Sequence, residues 1–117
     1  MKEREINTGD FEKPKSILEE IQEIIDKSPE KIEEEFKRTT NTWLDCFISR
    51  LFPIETYLSL RNAKAEVGSD EKYQDIIIRL EDLKEKVADL KEQYPDKNTI
   101  PPEEAKKELF ENLRNLI

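Results

Sequence analysis

The sequence predicts an all-α protein, and three observations carry that prediction. Two glycines in 117 residues leave little material for sheet turns, and 41% charged residues with only 8% aromatic ones suit helices with solvated outer faces. The apolar residues, 35% of the chain, recur at steps of three and four rather than two. One stretch, Thr39 to Leu60, is nearly free of charge, interrupted only by Asp45, Arg50 and Glu55. A helix that is apolar around most of its circumference is normally buried. This segment is therefore read as the central helix of a single domain spanning 12–117. The expected architecture is a four-helix, mostly antiparallel bundle whose long second helix is kinked or broken near Pro53.

Residues 1–11 are polar, contain the turn pair Gly9-Asp10 and offer only Ile6 and Phe11 for packing, which predicts a flexible N-terminal arm. The first helix is expected from Pro14 or Lys15 to about Lys27, with Leu18, Ile21 and Ile25 on one face and Ile17 and Ile24 widening it. Ser28-Pro29-Glu30 then has the chemistry of a new helix start. Serine caps free amides, proline fits the first helical position, and an early acid complements the dipole, so a tight αα-corner is expected there. From that start Ile32, Phe36, Thr40, Trp43, Phe47, Leu51, Ile54 and Leu58 follow at helical spacing, running the second helix straight into the central one. Pro53 lacks an amide hydrogen and crowds the preceding turn, hence the kink.

Gly68 ends one helix and Ser69-Asp70 caps the next. In this third helix Tyr73, Ile76, Leu80, Leu83, Val87, Leu90 and Tyr94 form an a/d seam flanked by Arg79, Lys84, Lys86 and Lys91. The flanking bases suit a partner helix with acids beside its own seam, supplied by the Glu-rich first helices or by a second subunit. Pro95 to Pro101 reads as a loop, and Pro102-Glu103-Glu104 opens a last short helix with Ala105, Leu109, Leu113 and Leu116 on one side.

The net charge of −8 is spread rather than concentrated. Residues 12–38 and 69–98 each carry nine acids and six bases, while 39–68 balance at three of each. Mixed signs of this kind serve solubility, and no cluster of Lys and Arg is present to neutralise phosphates, so neither direct nucleic-acid binding nor membrane binding is expected. The one cysteine, Cys46, suits a reducing compartment. With no apolar run after the N-terminal bases and none long enough to span a bilayer, a cytoplasmic location is expected.

Absent residue types narrow the chemistry further. Without histidine there is no phosphotransfer imidazole, no His-dependent triad and no HExxH zinc site; one cysteine excludes CxxC pairs, and two isolated glycines leave no phosphate-cradling loop. Helix carboxylates remain. Glu20, Glu23 and Asp26 form an ExxExxD spacing and Glu30, Glu33 and Glu34 a second close set, which could hold Mg²⁺ if they converged. The first spacing is similar to that of MazG-type all-α nucleotide pyrophosphatases, whose second ExxD element this chain lacks; the likeness is to a spacing alone. Solvated helix faces explain both sets in a chain with 28 acids.

Asp45 and Arg50 are the charges nearest to the apolar core, and buried charges need partners. Either they belong to a structural network or, with Tyr57, they line a polar cleft or interface. Asp45 falls on a stripe of small polar residues, Thr42, Ser49, Thr56 and Ser59, which Phe52 interrupts as a candidate aromatic anchor; Phe110 and Leu113 on the last helix raise the same question. Trp43, Phe36 and Phe47 share the main apolar stripe and read as core. The function expected from this set is a non-catalytic protein–protein interaction module: an adaptor, regulatory subunit or small chaperone-like factor that binds a protein partner or a second copy of itself and needs no cofactor. Two alternatives stand beside it, an acidic inhibitor of a nucleic-acid-binding protein and a Mg²⁺-dependent nucleotide or phosphate-ester hydrolase.

Overall fold

The computed structural model describes residues 16–117, which form five helices and no strand: α1 (Ile17–Arg38), α2 (Trp43–Leu58), α3 (Ala63–Val67), α4 (Asp70–Gln93) and α5 (Glu103–Arg114). The expected N-terminal arm lies outside the described residues. None of the described helices is long and apolar enough to cross a membrane.

Helix α1 opens with a capping box. The Ser16 hydroxyl accepts from the Glu19 amide at 3.2 Å and the Glu19 carboxylate accepts from the Ser16 amide at 2.9 Å, satisfying two orphan donors reciprocally. The helix then continues through Pro29, so the αα-corner expected at Ser28 is not there. Packing explains the difference. Ile21, Ile25, Ser28 and Ile32 are all buried and stand four, three and four residues apart, so one apolar stripe crosses the proline without interruption, while Pro29 itself is on the exposed side. Carrying the helix past Pro29 places Ile32 in the core and packs the half-buried Phe36 against it, and at roughly 1.5–3 kcal/mol for each such side chain the two together offset the ~3 kcal/mol that an interior proline costs.

The real break is at Thr39–Thr42, and the long second helix of the sequence reading is thereby divided. Thr39 is extended, its hydroxyl donating back to the Glu35 carbonyl at 2.9 Å, and Thr42 caps α2 by accepting from the Asp45 amide at 3.0 Å. Short hydroxyl side chains that bond their own backbone compete with helix propagation. Helix α2 runs through Pro53 without a break and ends at Leu58, whose carbonyl accepts a hydrogen bond from the Tyr73 hydroxyl. A turn leads to α3, and Gly68, at φ 120°, takes the left-handed conformation that lets the chain reverse into α4.

The seam of α4 is as the spacing predicts: Ile76, Leu80, Leu83 and Val87 are buried, and Tyr73, Leu90 and Tyr94 are half-buried against the core. Trp43, Phe47 and Phe110 form an aromatic triangle with ring centroids 5.7–5.8 Å apart, joining α2 to α5.

Lys97, in the α4–α5 loop, closes the C-terminus of α1. Its ammonium donates to the Phe36 carbonyl at 2.6 Å and to the Thr39 carbonyl, and lies 4.9 Å from the centre of the Phe36 ring. A cation there meets both the unpaired carbonyls and the negative end of the helix dipole. Lys97→Met, which keeps the stem and removes the charge, is expected to cost about 1–2 kcal/mol. Thermal denaturation checks it, and an unchanged melting temperature would show the cap to be idle.

Candidate interaction surface

Helix α2 is held on two sides and open on a third. Towards α1, the Arg50 guanidinium donates through Nε to the Ser28 hydroxyl at 3.3 Å and through Nη2 to the Ile24 carbonyl at 3.2 Å; Ser28 itself donates to that carbonyl at 2.6 Å. Further along, the Tyr57 hydroxyl donates to Glu20 at 2.6 Å, and the Trp43 indole donates to Glu33 at 3.0 Å. Towards α4, Asp45 pairs with Lys91 at 2.7 Å and Glu55 with Lys84 at 2.9 Å. The sequence grouped Asp45, Arg50 and Tyr57 as lining a cleft. The structure spreads them: Asp45 bolts α2 to α4, whereas Arg50 and Tyr57 reach α1 at separate turns.

Electrostatics follow these contacts. The hydrogen bond from Lys91 holds the Asp45 carboxyl below its ordinary value, against a smaller opposing effect of burial. Burial lowers the Arg50 value, offset in part by Glu35, and the guanidinium stays charged. The bond to Glu55 raises Lys84. Burial first, then the Glu35 carboxylate, pushes the Cys46 thiol up to about 11, which makes it an unreactive core group at neutral pH.

The Asp45–Lys91 pair makes a pH-dependent contribution of defined sign. Because Asp45 is depressed in the folded state, the stabilisation is complete above its unfolded value of 3.8 and is lost as pH falls through the lower folded value. Both side chains are about 40% exposed, 42% for Lys91 and 38% for Asp45, so solvent limits the effect to roughly 0.2–1 kcal/mol. Comparing urea midpoints of the wild type and Lys91→Met across acid pH should show a small wild-type advantage that closes only below pH 3.8. A gap that persists at the lowest pH assigns it to packing of the lysine stem instead.

Between these two sides lies the outward strip of α2: Ser49, Phe52, Pro53, Thr56 and, just past the helix end, Ser59 and Leu60. None carries charge. The hydroxyls bond back onto their own helix, Ser49 to the Asp45 carbonyl, Thr56 to that of Phe52 and Ser59 to that of Glu55, at 3.0–3.1 Å, and Ser49 also lies 3.5 Å from the Glu35 carboxylate of α1. Phe52 stands in the middle, 56% exposed, and Leu60 is 45% exposed. Phe110 and Leu113 are not part of this strip. Phe110 is half-buried in the aromatic triangle, and Leu113 is closed off in the core, so its side chain is unavailable to a partner in this conformation.

Sequence reasoning missed Ser28, Glu66 and Lys97 as organising residues. Glu66 accepts from the Ile17 amide at 2.6 Å and ties α3 to the start of α1. The partners of Lys97 and Glu66 are 49 to 61 residues away, and no local pattern announces them. Ser28 had a signal, since it falls on the stripe of Ile21, Ile25 and Ile32. Among the described residues no group of three or more Asp, Glu, Cys or His side chains is arranged to hold a metal ion; Glu20 is instead bonded to Tyr57, and Glu33 to Trp43. No family model matches this chain, and comparison with curated proteins and with solved structures yields no match.

Proposed function

We propose that this protein is a non-catalytic protein–protein interaction module, an adaptor or regulatory subunit that docks a protein partner on the outward strip of α2. The observation that carries this reading is the uncharged strip around Phe52, on a chain in which 41% of residues are charged. Burying charged surface costs desolvation, whereas this strip exposes an aromatic ring among hydroxyls whose hydrogen bonds are already made, so covering it costs little. Interface cores are depleted in charge and enriched in aromatic anchors ringed by polar groups, and the Asp45–Lys91 and Glu55–Lys84 pairs provide such a rim. In this reading the four longer helices form a mostly antiparallel bundle that bends at Pro53, α3 is a connector, and the protein works in the cytoplasm.

Affinity capture of the tagged chain from nuclease-treated lysate, with stoichiometry by mass spectrometry, should recover one dominant protein near one-to-one. Light scattering of the purified chain separates that outcome from a homodimer. Phe52→Gln should weaken the association by about 2 kcal/mol or more, roughly 30-fold, while changing stability by no more than about 0.5 kcal/mol. Recovery of the bait alone as a monomer, or a partner held equally well by Phe52→Gln, would sink the proposal.

A further inference from the structure

A separate feature lies where the chain reverses between α1 and α2, and the reading above does not use it. The reversal is confined to residues 39–42, whose ends, Thr39 at ψ 177° and Thr42 at ψ 163°, are extended. Threonine and asparagine favour caps over helix interiors, yet none of the four is a proline that would forbid a helix. The core spacing also runs on across them. Ile32, Phe36, Thr40, Trp43 and Phe47 stand four, four, three and four residues apart, so α1 and α2 would share one face if the reversal were helical. A few tethers hold it instead. Thr42 caps α2, the Asn41 amide donates to the Thr39 hydroxyl at 3.2 Å, and the Asn41 side chain donates to Glu35 at 3.3 Å. Lys97 occupies the Phe36 and Thr39 carbonyls, the two acceptors that the Thr40 and Trp43 amides would need in a continuous helix.

We infer that residues 39–42 are a hinge and that the partner it admits is a second copy of this chain: the hinge straightens into helix, and each α1 packs on the α2 of the other copy in a domain-swapped dimer. Lys97 is the strap that favours the monomer. The bonds between α1 and α2 do not depend on the hinge. Arg50 to Ser28 and Ile24, and Tyr57 to Glu20, join residues 22 to 37 apart, and the same bonds form equally well between two chains. No new surface has to fit, because the interface is the one already built. Straightening exchanges the tethers for main-chain hydrogen bonds of the kind that hold the rest of the helix, and the remaining cost is that of bringing two chains together, which rising concentration offsets. Because α1 keeps its side of α2, the outward strip around Phe52 stays uncovered in the dimer.

The test is refolding of the full chain from urea at low and high concentration, followed by size-exclusion chromatography with light scattering. Each dimer forgoes two Lys97 contacts, so Lys97→Met should raise the association constant about 30-fold over the wild type. Adding Asn41→Ala, at an exposed position, should raise it further, with helix content by circular dichroism that increases rather than falls. Dimers carrying two different tags, mixed in native buffer, should keep their own subunits and exchange them only when urea is added, because exchange requires α1 to leave the core. Phe52→Gln should leave the dimer intact, whereas a dimer built on the α2 strip would dissolve, which separates this inference from the proposed docking role of that strip. A monomer in both variants after refolding at high concentration, rapid exchange in native buffer, or loss of the dimer with Phe52→Gln would each overturn the inference.

Discussion

Phe47→Ala should cost about 3–5 kcal/mol, the largest single loss expected in this molecule. The side chain is fully buried, stacks on Trp43 at 5.8 Å and meets Phe110 at 5.8 Å, so truncation removes transfer energy and opens a void between two rings. Neither ring can collapse freely into it. The Trp43 indole is held by Glu33, and Phe110 is fixed to α5, whose Leu109 and Leu113 are themselves buried. Small domains have only about 5–15 kcal/mol in total, so the variant should unfold at a much lower urea concentration. Trp43 emission and far-ultraviolet circular dichroism followed together in urea provide the check. A loss below about 1.5 kcal/mol would mean that the triangle is loosely packed and that α5 is not anchored through it.

The triangle also shows what a sequence can and cannot disclose. That Trp43 and Phe47 face the core is legible from their spacing, because four residues apart on an apolar helix means one face. That Phe110 completes the set is not, since it sits 63 residues beyond Phe47 and the last helix offers two adjacent apolar positions, Leu109 and Phe110, with nothing local to rank them. The same contrast holds elsewhere. The α4 seam and the Gly68-Ser69 boundary are local signals and both are found where expected. Arg50 was legible as a charge in need of a partner, but its acceptors are a hydroxyl and a carbonyl of α1 rather than a carboxylate. Phe52 was legible as an anomaly in a polar stripe, and its exposure is what the structure adds.

The division between α1 and α2 is where local chemistry misleads. Ser-Pro-Glu satisfies every rule for a helix start, and Thr39-Thr40-Asn41-Thr42, which does break the helix, was absorbed into the apolar stripe through Thr40. Two signals compete in this segment, and tertiary burial decides between them: Ile32 is fully buried only if α1 carries its face past the proline.

Pro29→Ala tests that decision directly and is expected to stabilise the protein by about 2 kcal/mol. An interior proline costs ~3 kcal/mol, through the missing amide hydrogen that the Ile25 carbonyl would otherwise accept and through crowding of the preceding turn. Restoring flexibility to the unfolded chain returns roughly 0.4–1 kcal/mol of that gain, which leaves the net figure. At about 4 °C per kcal/mol for a domain of this size, the melting temperature should rise by roughly 8 °C. Had the chain turned at Ser28 with Pro29 in the first helical position, alanine there would be neutral or harmful, because proline is favoured at that place. A fall in melting temperature would therefore restore the corner. Arg50 sharpens the test, since it reaches the Ile24 carbonyl in the turn crowded by the proline. If straightening the turn moves the Ile24 carbonyl away from the guanidinium, Arg50→Met should cost less in the Pro29→Ala background than in the wild type. A double-mutant cycle measures the difference; additivity within about 0.3–0.5 kcal/mol would show that the proline and the Arg50 contact are independent.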